Sequence, residues 1–442
     1  MICYGLNHWK PNGSRFFAGD CMPFYKDGVF HLYYLLDINH HNHPLVGCLG
    51  GHVYAHAVST DLIHWEHKST ALPLDFDAGE CSNCTGSILA YNGRVFIFNC
   101  QRSRNIYGEH FRIFVSDDDG VSFHPWEHTP RLEAPDDCRG QFRDPHAFVG
   151  EDGLIHILMS SGKNQEEENG TVVHMGCLHH YTTKDMIHYE KQEPLLEITF
   201  IPECADYFEW NGKYYYSINR YWQTEFHCSD APFGPWMRPR QNVPASRFCA
   251  VMKTAPWKDG RRIGVGWIPS FVDGQYIFGG RIVFREMVQR KDGSLGTAFV
   301  DEMLPDRLLT ECEDFTIENQ DGEAVKHVMD CSNSFRMDGT IKIGEGTGMF
   351  SIKILDKDQI YSVSIKFDPV SHLVELTDHT RIKQVEMGEE IHFRLVRTDE
   401  IFDLEINGER TIVAASYNLS DSFIEFIVEN GKINVSDLKF YN

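Results

Sequence analysis

Over the first 300 residues the apolar positions fall in short runs, each opened by a glycine turn and each too short for a helix. An Asp-Gly or Asn-Gly turn followed at once by a strand rich in aromatic and branched residues recurs along the chain. The copies are DGVFHLYYLLD from Asp27, NGRVFIFNC from Asn92, DGLIHILMS from Asp152, NGKYYYSINR from Asn211 and DGRRIGVGWI from Asp259. Such turns admit the positive φ angles that match hairpin twist, so each marks a hairpin. A second element follows most copies, a strand ending in a small hydroxyl or charged turn and then an aromatic. It reads HAVSTDLIHWE from His56, IFVSDDDGVSFHPWE from Ile113, YTTKDMIHYE from Tyr181 and HCSDAPFGPW from His227. The period is about 50 to 65 residues and the units are all strand, which predicts blades of four-stranded antiparallel sheet. Five such units make residues 1–300 a five-bladed β-propeller. A sandwich or a barrel of hairpins is the competing arrangement.

Beyond Phe299 the pattern changes. DEMLPDRLL reads as a short connecting helix, which places a linker at 301–315. From Thr316 apolar and polar residues alternate in GMFSIKIL, QIYSVSIKFD, HLVELTD, IHFRLVRT, IFDLEING and FIEFIVEN. Period two with intervening turns predicts an antiparallel β-sandwich at 316–442. The fold class is therefore all-β, a five-bladed β-propeller followed by a C-terminal β-sandwich. The sandwich reads first as a stabilising packing partner; a carbohydrate-binding or dimerising surface, and with it a homo-oligomer, is the alternative.

Composition narrows the partners. Asp+Glu 64 against Lys+Arg 41 gives a formal net charge of −23, which repels phosphate backbones and anionic lipid. Nucleic acid and membrane are excluded as expected partners. MICYGLNHWKPNG lacks a basic region followed by an apolar core, and no apolar run reaches the roughly 18 to 20 residues of a bilayer span. A soluble, cytoplasmic protein is expected, and the scattered 13 cysteines fit reduced thiols rather than a disulfide framework. Cys81 and Cys84 in CSNC have the spacing of half a zinc site. Without a second such pair they read as pocket-lining thiols, and the NHHNH loop at Asn39 to His43 reads as a solvated rim. No metal and no cofactor is expected.

The chemistry lies in the register. Asp144 stands eight residues before Asp152, Glu203 eight before Asn211 and Asp20 seven before Asp27. In a propeller the strand before the first hairpin of each blade is the innermost, so these acids converge at the channel mouth. The second unit supplies CTGS there, Cys84 to Ser87, with Thr85 and Ser87 suited to a ligand hydroxyl. Clustering carboxylates is costly because each raises its neighbour's pKa and each loses water. Acids with separated pKa values suit glycosidic cleavage, one carboxyl protonating the leaving group while another is ionised.

FRDP at Phe142 to Pro145, PEC at Pro202 to Cys204, HAVSTDLIHWEHKSTALPLD at His56 to Asp75 and IVFREMV at Ile282 to Val288 resemble, in order and spacing, the signatures of glycoside hydrolase family 32. That family comprises the invertases, inulinases and levanases, and the resemblance covers essentially the whole chain. It implies a five-bladed propeller with a β-sandwich and retention of configuration at a fructofuranosyl carbon. The substrate it implies is a small neutral saccharide, sucrose or a short fructooligosaccharide. It implies Asp20 as nucleophile, Glu203 as general acid/base and Asp144 as transition-state stabiliser, with Arg143 binding beside it. Tyr207, in the apolar ADYF segment after Glu203, and Trp9 are further expected sugar contacts.

The chain departs from the family at its first motif, usually a tryptophan shortly before Asn-Asp-Pro-Asn. Here FFAGDCMPFY keeps the aspartate and loses the flanking asparagines. Those neighbours hold the sugar in the first subsite, so the departure bears on which furanoside is taken. Three other readings stay open: an inverting propeller glycosidase for arabinosides or xylosides, fructosyl transfer in place of hydrolysis, and a non-catalytic sugar-binding relative.

Overall fold

The structure, a computed structural model, describes residues 2–3, 8–9, 11, 16–38, 51–104, 106–128, 132, 134–136, 138–166, 171–319, 322–377, 380–419 and 421–442. The histidine loop His40 to His43 lies outside the described residues. Strands dominate, and the chain clusters into two compact units. The first comprises Met1–Tyr4, Lys10–Asn242 and Val251–Trp267; the second comprises Gly5–Trp9, Val243–Ala250 and Ile268–Asn442. The unit boundary between Trp267 and Ile268 falls inside the stretch 1–300 expected as the propeller domain.

In the first unit successive antiparallel sheets follow the repeat. One runs Phe16–Lys26, Val29–Ile38, Val53–Ser59, His64–His67; the next runs Glu80–Tyr91, Arg94–Ser103, Ile106–Ser116, His124–Pro125. The third runs Cys138–Val149, Ile155–Glu166, Val172–Thr183, Glu190–Lys191, and the fourth Glu203–Trp210, Lys213–Arg220, Gln223–Ser229. Ala250–Pro256 then precedes Arg262–Val272. The Asp27-Gly28, Asn92-Gly93 and Asn211-Gly212 turns have both residues at positive φ, between 49° and 83°. These tight turns fix hairpin register, with Lys26 opposite Val29, Tyr91 opposite Arg94 and Trp210 opposite Lys213.

The second repeat element is a shared outer turn. Ser59 Oγ accepts the Leu62 N–H at 2.8 Å, and Thr183 Oγ1 accepts that of Met186 at 2.9 Å. Leu62 and Met186 both adopt positive φ, 65° and 58°.

Sheets stack face to face, which explains strands apolar on both faces. Phe96 and Phe98 point into a core with Ile155, Ile157 and Met159 of the third sheet, while Ile97 points the other way, to Tyr33, Leu35 and Tyr54 of the first. Leu158 and Leu178 meet Tyr216 and Ile218 of the fourth sheet. Period-two alternation thus feeds two cores from one strand. The first strands of neighbouring sheets, from Phe16, Glu80, Cys138 and Glu203, lie side by side as an inner layer.

The second unit contains two stacked antiparallel sheets among the described residues. One includes Ser334–Ile343, Glu390–Thr398, Ile401–Ile406, Arg410–Ala415 and Gly431–Tyr441; the other includes Phe350–Asp356, Ser362–Asp368, Leu373–Leu376 and Ser422–Val428. Ile352, Ile354, Ile365, Phe367 and Phe426 of the latter are wholly buried. The segment 301–315, expected as a linker, corrects to structure. A short 3₁₀ turn at Asp301–Met303 replaces the expected helix, and Leu308–Glu311 already pairs with the strand ending at Tyr441. Backbone pairing along that strand draws in Leu308 and Leu309, although both side chains stay exposed.

Candidate active site

Each inner strand carries an irregularity at the position read from the repeat. The ladder slips between Ala18 and Cys21, between Asn83 and Gly86, between Arg143 and His146, and between Glu203 and Asp206. A bulge bends a strand and re-aims the side chain at the extra residue. Here the displaced residues are Asp20, Thr85, Asp144 and Cys204. Asp144 at φ 55° and Cys204 at φ 50° occupy the left-handed region, and Val251 at φ 51° repeats the feature on Ala250–Pro256. For non-glycine residues, a β-branched valine above all, that conformation is costly and persists where the surrounding fold imposes it. Gly86 shows how tightly the bulge presses on the paired strand: a Cβ there would lie 2.0 Å from the Phe98 carbonyl oxygen.

The bulges bring three acids and one arginine together. Asp20 is 8% exposed; its Oδ2 accepts from the Thr85 hydroxyl and its Oδ1 from the Trp267 indole N–H at 2.8 Å. Asp144 Oδ2 accepts from the Cys204 N–H at 3.0 Å and the Cys204 thiol at 3.4 Å. The same thiol lies 3.8 Å from Asp20 Oδ2, so one sulfur spans both carboxylates. Arg143 donates through Nη2 to Glu203 Oε1, stands 3.6 Å from Asp144 and 3.9 Å from Glu109. Glu203 begins the fourth inner strand and keeps 37% of its side chain exposed.

Burial raises both Glu203 and Asp20, and their partners differ. Burial pushes the Glu203 carboxyl up, Arg143 pulls it down, and Asp144, Asp20 and Glu109 push it up again, to about 6. Asp20 is also raised by burial, but the Thr85 and Trp267 donors oppose the rise and Asp144 adds to it. Burial would strip the Arg143 charge, yet Asp144, Glu109 and Glu203 overcome it and hold the guanidinium firmly protonated. Burial, followed by the three acids, keeps the Cys204 thiol protonated and therefore a donor.

Asp20, Thr85, Arg143, Asp144 and Glu203 are thus gathered at one end of the inner layer. The other expected contacts are not. Ser87 Oγ is taken by the Ala147 N–H at 2.9 Å, so it braces two inner strands instead of meeting a ligand. The Tyr207 ring stacks on Phe148 at 4.0 Å and its hydroxyl donates to the Pro232 carbonyl at 2.5 Å, which makes it core. Trp9 belongs to the second unit, 1% exposed and paired with Ile282, so its indole packs rather than lines a rim. Cys81 and Cys84 turn to different partners, Gly79 O and Glu109.

Two participants escaped the register argument. Trp267 sits on the second strand of its hairpin, where the repeat points at no functional position. Glu109, with a side chain 1% exposed, is clamped by Arg102 through Nε at 2.9 Å and Nη2 at 2.6 Å and lies on a third strand. An Arg-Glu pair seven residues apart across a hairpin gives no distinctive sequence signal.

Neighbouring carboxylates with unlike partners on adjacent first strands are groups of the kind that glycosidic cleavage uses. The chain belongs to glycosyl hydrolases family 32, whose N-terminal domain model matches residues 19–242. Members of that family are glycoside hydrolases acting on β-fructofuranosides. The chain is 26% identical over 201 residues to a β-fructofuranosidase, insoluble isoenzyme 7, of Oryza sativa, covering 42% of this chain and 30% of that protein. It is 26% identical over 294 residues to a sucrose-6-phosphate hydrolase of Zymomonas mobilis, covering 59% of this chain and 53% of that one. The match therefore spans a third to a half of these relatives' length. Fructan 1-exohydrolase IIa from Cichorium intybus, solved with 1-kestose, superposes with a TM-score of 0.77 at 15% identity, covering 98% of this chain and 97% of that one. That likeness establishes a shared fold.

Proposed function

We propose that this chain is a retaining β-fructofuranosidase whose first unit contributes to a five-bladed propeller closed by the hairpin from Ala250. The observation that carries the reading is the unequal environment of two neighbouring acids. Glu203, raised to about 6, carries its proton below that pH and keeps a protonated fraction toward neutrality, whereas Asp20, though also raised by burial, accepts two hydrogen bonds that favour its ionised form.

In this reading Glu203 gives its proton to the glycosidic oxygen as the bond from that oxygen to the anomeric carbon breaks. Asp20 forms an ester to the same carbon. Water then adds its oxygen to the carbon, Glu203 takes the water proton, and the Asp20 ester bond breaks, which restores both carboxyls. Asp144 has one oxygen tied to Cys204; its Oδ1, without a protein partner among the described residues, is available to sugar hydroxyls. Arg143 steers Glu203 and limits how far its acidity falls.

The altered first motif bears on the substrate. Met22 is 1% exposed in a core cluster, and the Cys21 thiol donates to the carbonyls of Gly19 and Gly266 at 3.4 and 3.8 Å. The side chains flanking Asp20 thus offer a sugar fewer polar contacts, which supports a fructoside held mainly through Asp20, Asp144 and Arg143. Sucrose or a short fructooligosaccharide meets that description.

Hydrolysis of sucrose, short inulin and levan oligosaccharides and aryl arabinofuranosides tests the reading, with Asp20→Ala and Glu203→Ala in parallel. Fructose released by the wild type and by neither variant supports it. Arabinose release, or sugar binding without turnover, overturns it.

A further inference from the structure

A second constellation lies further along the same inner strands. From Asp20, Asp144 and Glu203 the chain runs on to Phe24, His146 and Asp206, two to four residues beyond, or roughly 7 to 13 Å at strand rise. There a cavity of about 350 Å³ opens, walled by Phe24, Leu89 and Phe148 and lined with charge by His146, Asp206, Lys253 and Arg262. None of these four has a part in the chemistry above.

The charges do not balance. Lys253 is 2% exposed and its ammonium donates to the Gly86 carbonyl at 2.8 Å; it forms no ion pair among the described residues. Arg262 is 6% exposed, lies over the Phe208 ring at 3.7 Å and donates through Nε to Thr254 Oγ1 at 2.8 Å, again with no ion pair among the described residues. Desolvation lowers this guanidinium to about 10, the mark of a buried cation short of negative partners. Among the described residues lining the cavity Asp206 is the one acid, and its Oδ2 is occupied by the Thr254 N–H and hydroxyl at 2.9 and 2.7 Å.

His146 adds a buried ring nitrogen. Its Nε2 lies 3.0 Å from the Tyr207 nitrogen and 3.1 Å from the Tyr207 carbonyl oxygen, contacts that fit either neutral tautomer. Its Nδ1 is buried, has no hydrogen-bond partner among the described residues and is 3.7 Å from Asp206 Oδ1. Asp206 and the exposed Glu209 are the acids that act on Arg262, and burying two cations with Asp206 as the one acid at the cavity wall among the described residues is expensive unless something negative completes the set.

We propose that this cavity is a second, non-catalytic site for a tetrahedral oxyanion, either inorganic phosphate or the phosphate group of a small ester, held by Lys253, Arg262 and His146 Nδ1. The ligand is donor-matched: the Lys253 and Arg262 N–H groups, joined by His146 in the tautomer with its proton on Nδ1, line one cavity and meet acceptor oxygens, and the negative charge offsets the excess. The aromatic wall and the cavity volume leave room for a sugar-sized remainder.

Calorimetric titration of the intact protein with inorganic phosphate and, separately, with a hexose 6-phosphate tests this, with fructose as neutral control. Wild type and Asp20→Ala should bind phosphate alike. Lys253→Met and Arg262→Met should each weaken it about tenfold or more, as expected for a lost charge-assisted bond. Asp206→Asn should tighten it, a gain that misfolding does not produce. Tighter binding of the ester than of phosphate would identify the ester as the natural form; the reverse order would identify the free ion. The proposal fails if the wild type takes up neither probe at millimolar concentration, if Asp206→Asn binds no better, or if binding is lost in Asp20→Ala and kept in Lys253→Met.

Discussion

Two buried charge clusters, one in each unit, show opposite treatment of an aspartate. In the second unit Asp403 has both oxygens filled: Arg285 binds in a fork at 2.9 and 2.7 Å, and His8 Nε2 adds a contact at 2.7 Å, all three side chains being fully buried. In the first unit Asp20, Asp144 and Glu203 share one arginine, one thiol and a few neutral donors, and Glu203 stays partly open to solvent. A bidentate guanidinium takes up a carboxylate and leaves it inert. Sparse neutral donors leave it able to gain a proton or a new bond. The contrast separates charge that holds a fold from charge left open for the chemistry proposed above.

The largest effect expected from that contrast is on turnover. Asp20→Ala should lower kcat/KM by about 10⁴-fold or more, as loss of a nucleophile does, with a melting temperature equal to or above wild type because a raised, buried acid is removed. Asp403→Ala should do the reverse, costing about 3 to 5 kcal/mol of stability by stranding Arg285, with KM and kcat of the surviving folded protein near normal. Denaturant titrations and initial rates on both variants decide. An Asp20→Ala protein that is active, or an Asp403→Ala protein of wild-type stability, would erase the distinction.

Glu203→Gln comes next. Loss of a general acid costs about 10²- to 10⁴-fold, and the loss should shrink on an aryl fructoside whose leaving group needs no proton. Equal loss on both substrates would assign Glu203 to binding instead. The pH dependence follows from the same group: below about 6 Glu203 carries its proton, so kcat/KM should fall as pH rises through that value. Arg143 is the influence that lowers this carboxyl, so Arg143→Met should move the alkaline limb to higher pH, even as weaker binding reduces the rate. A limb that stays in place would mean another group sets it.

How far this contrast was readable in the sequence differs between the units. Asp20, Asp144 and Glu203 were legible because tight turns at Asp27 and Asn211 anchor a register that repeats, and seven or eight residues back is a fixed place on an inner strand. The same count pointed to Thr85. It overreached at Ser87, and the expectation of a sugar contact at Tyr207 failed in the same way: beyond each bulge the alternation restarts, and these side chains turn to a neighbouring strand or into the core. Trp9 was misread because two strand residues say nothing of which sheet they join. The partnership of His8 and Arg285 with Asp403 joins residues more than a hundred positions apart, beyond the reach of any local pattern. The segment at 301–315 was misread because exposed Leu308 and Leu309 lack the alternation that marks a strand, although backbone pairing makes them one.

The smallest expected effect probes how Asp20 is kept ionised. Its acidity is set by burial upward and by Thr85 and Trp267 downward, so deleting either donor should raise the carboxyl further. Asp20 must be ionised to attack, and the acid limb of the pH profile should therefore move to higher pH in Thr85→Val and Trp267→Phe. At the optimum each should lose about tenfold or less in kcat/KM, the worth of one hydrogen bond to a charged group. Because the two donors serve different oxygens, Oδ2 and Oδ1, their effects on the limb should combine in the double variant. If instead the limb stays fixed while KM alone rises, Thr85 and Trp267 contact the sugar and Asp20 owes its state to something else, which would bring it closer to the closed, structural treatment of Asp403.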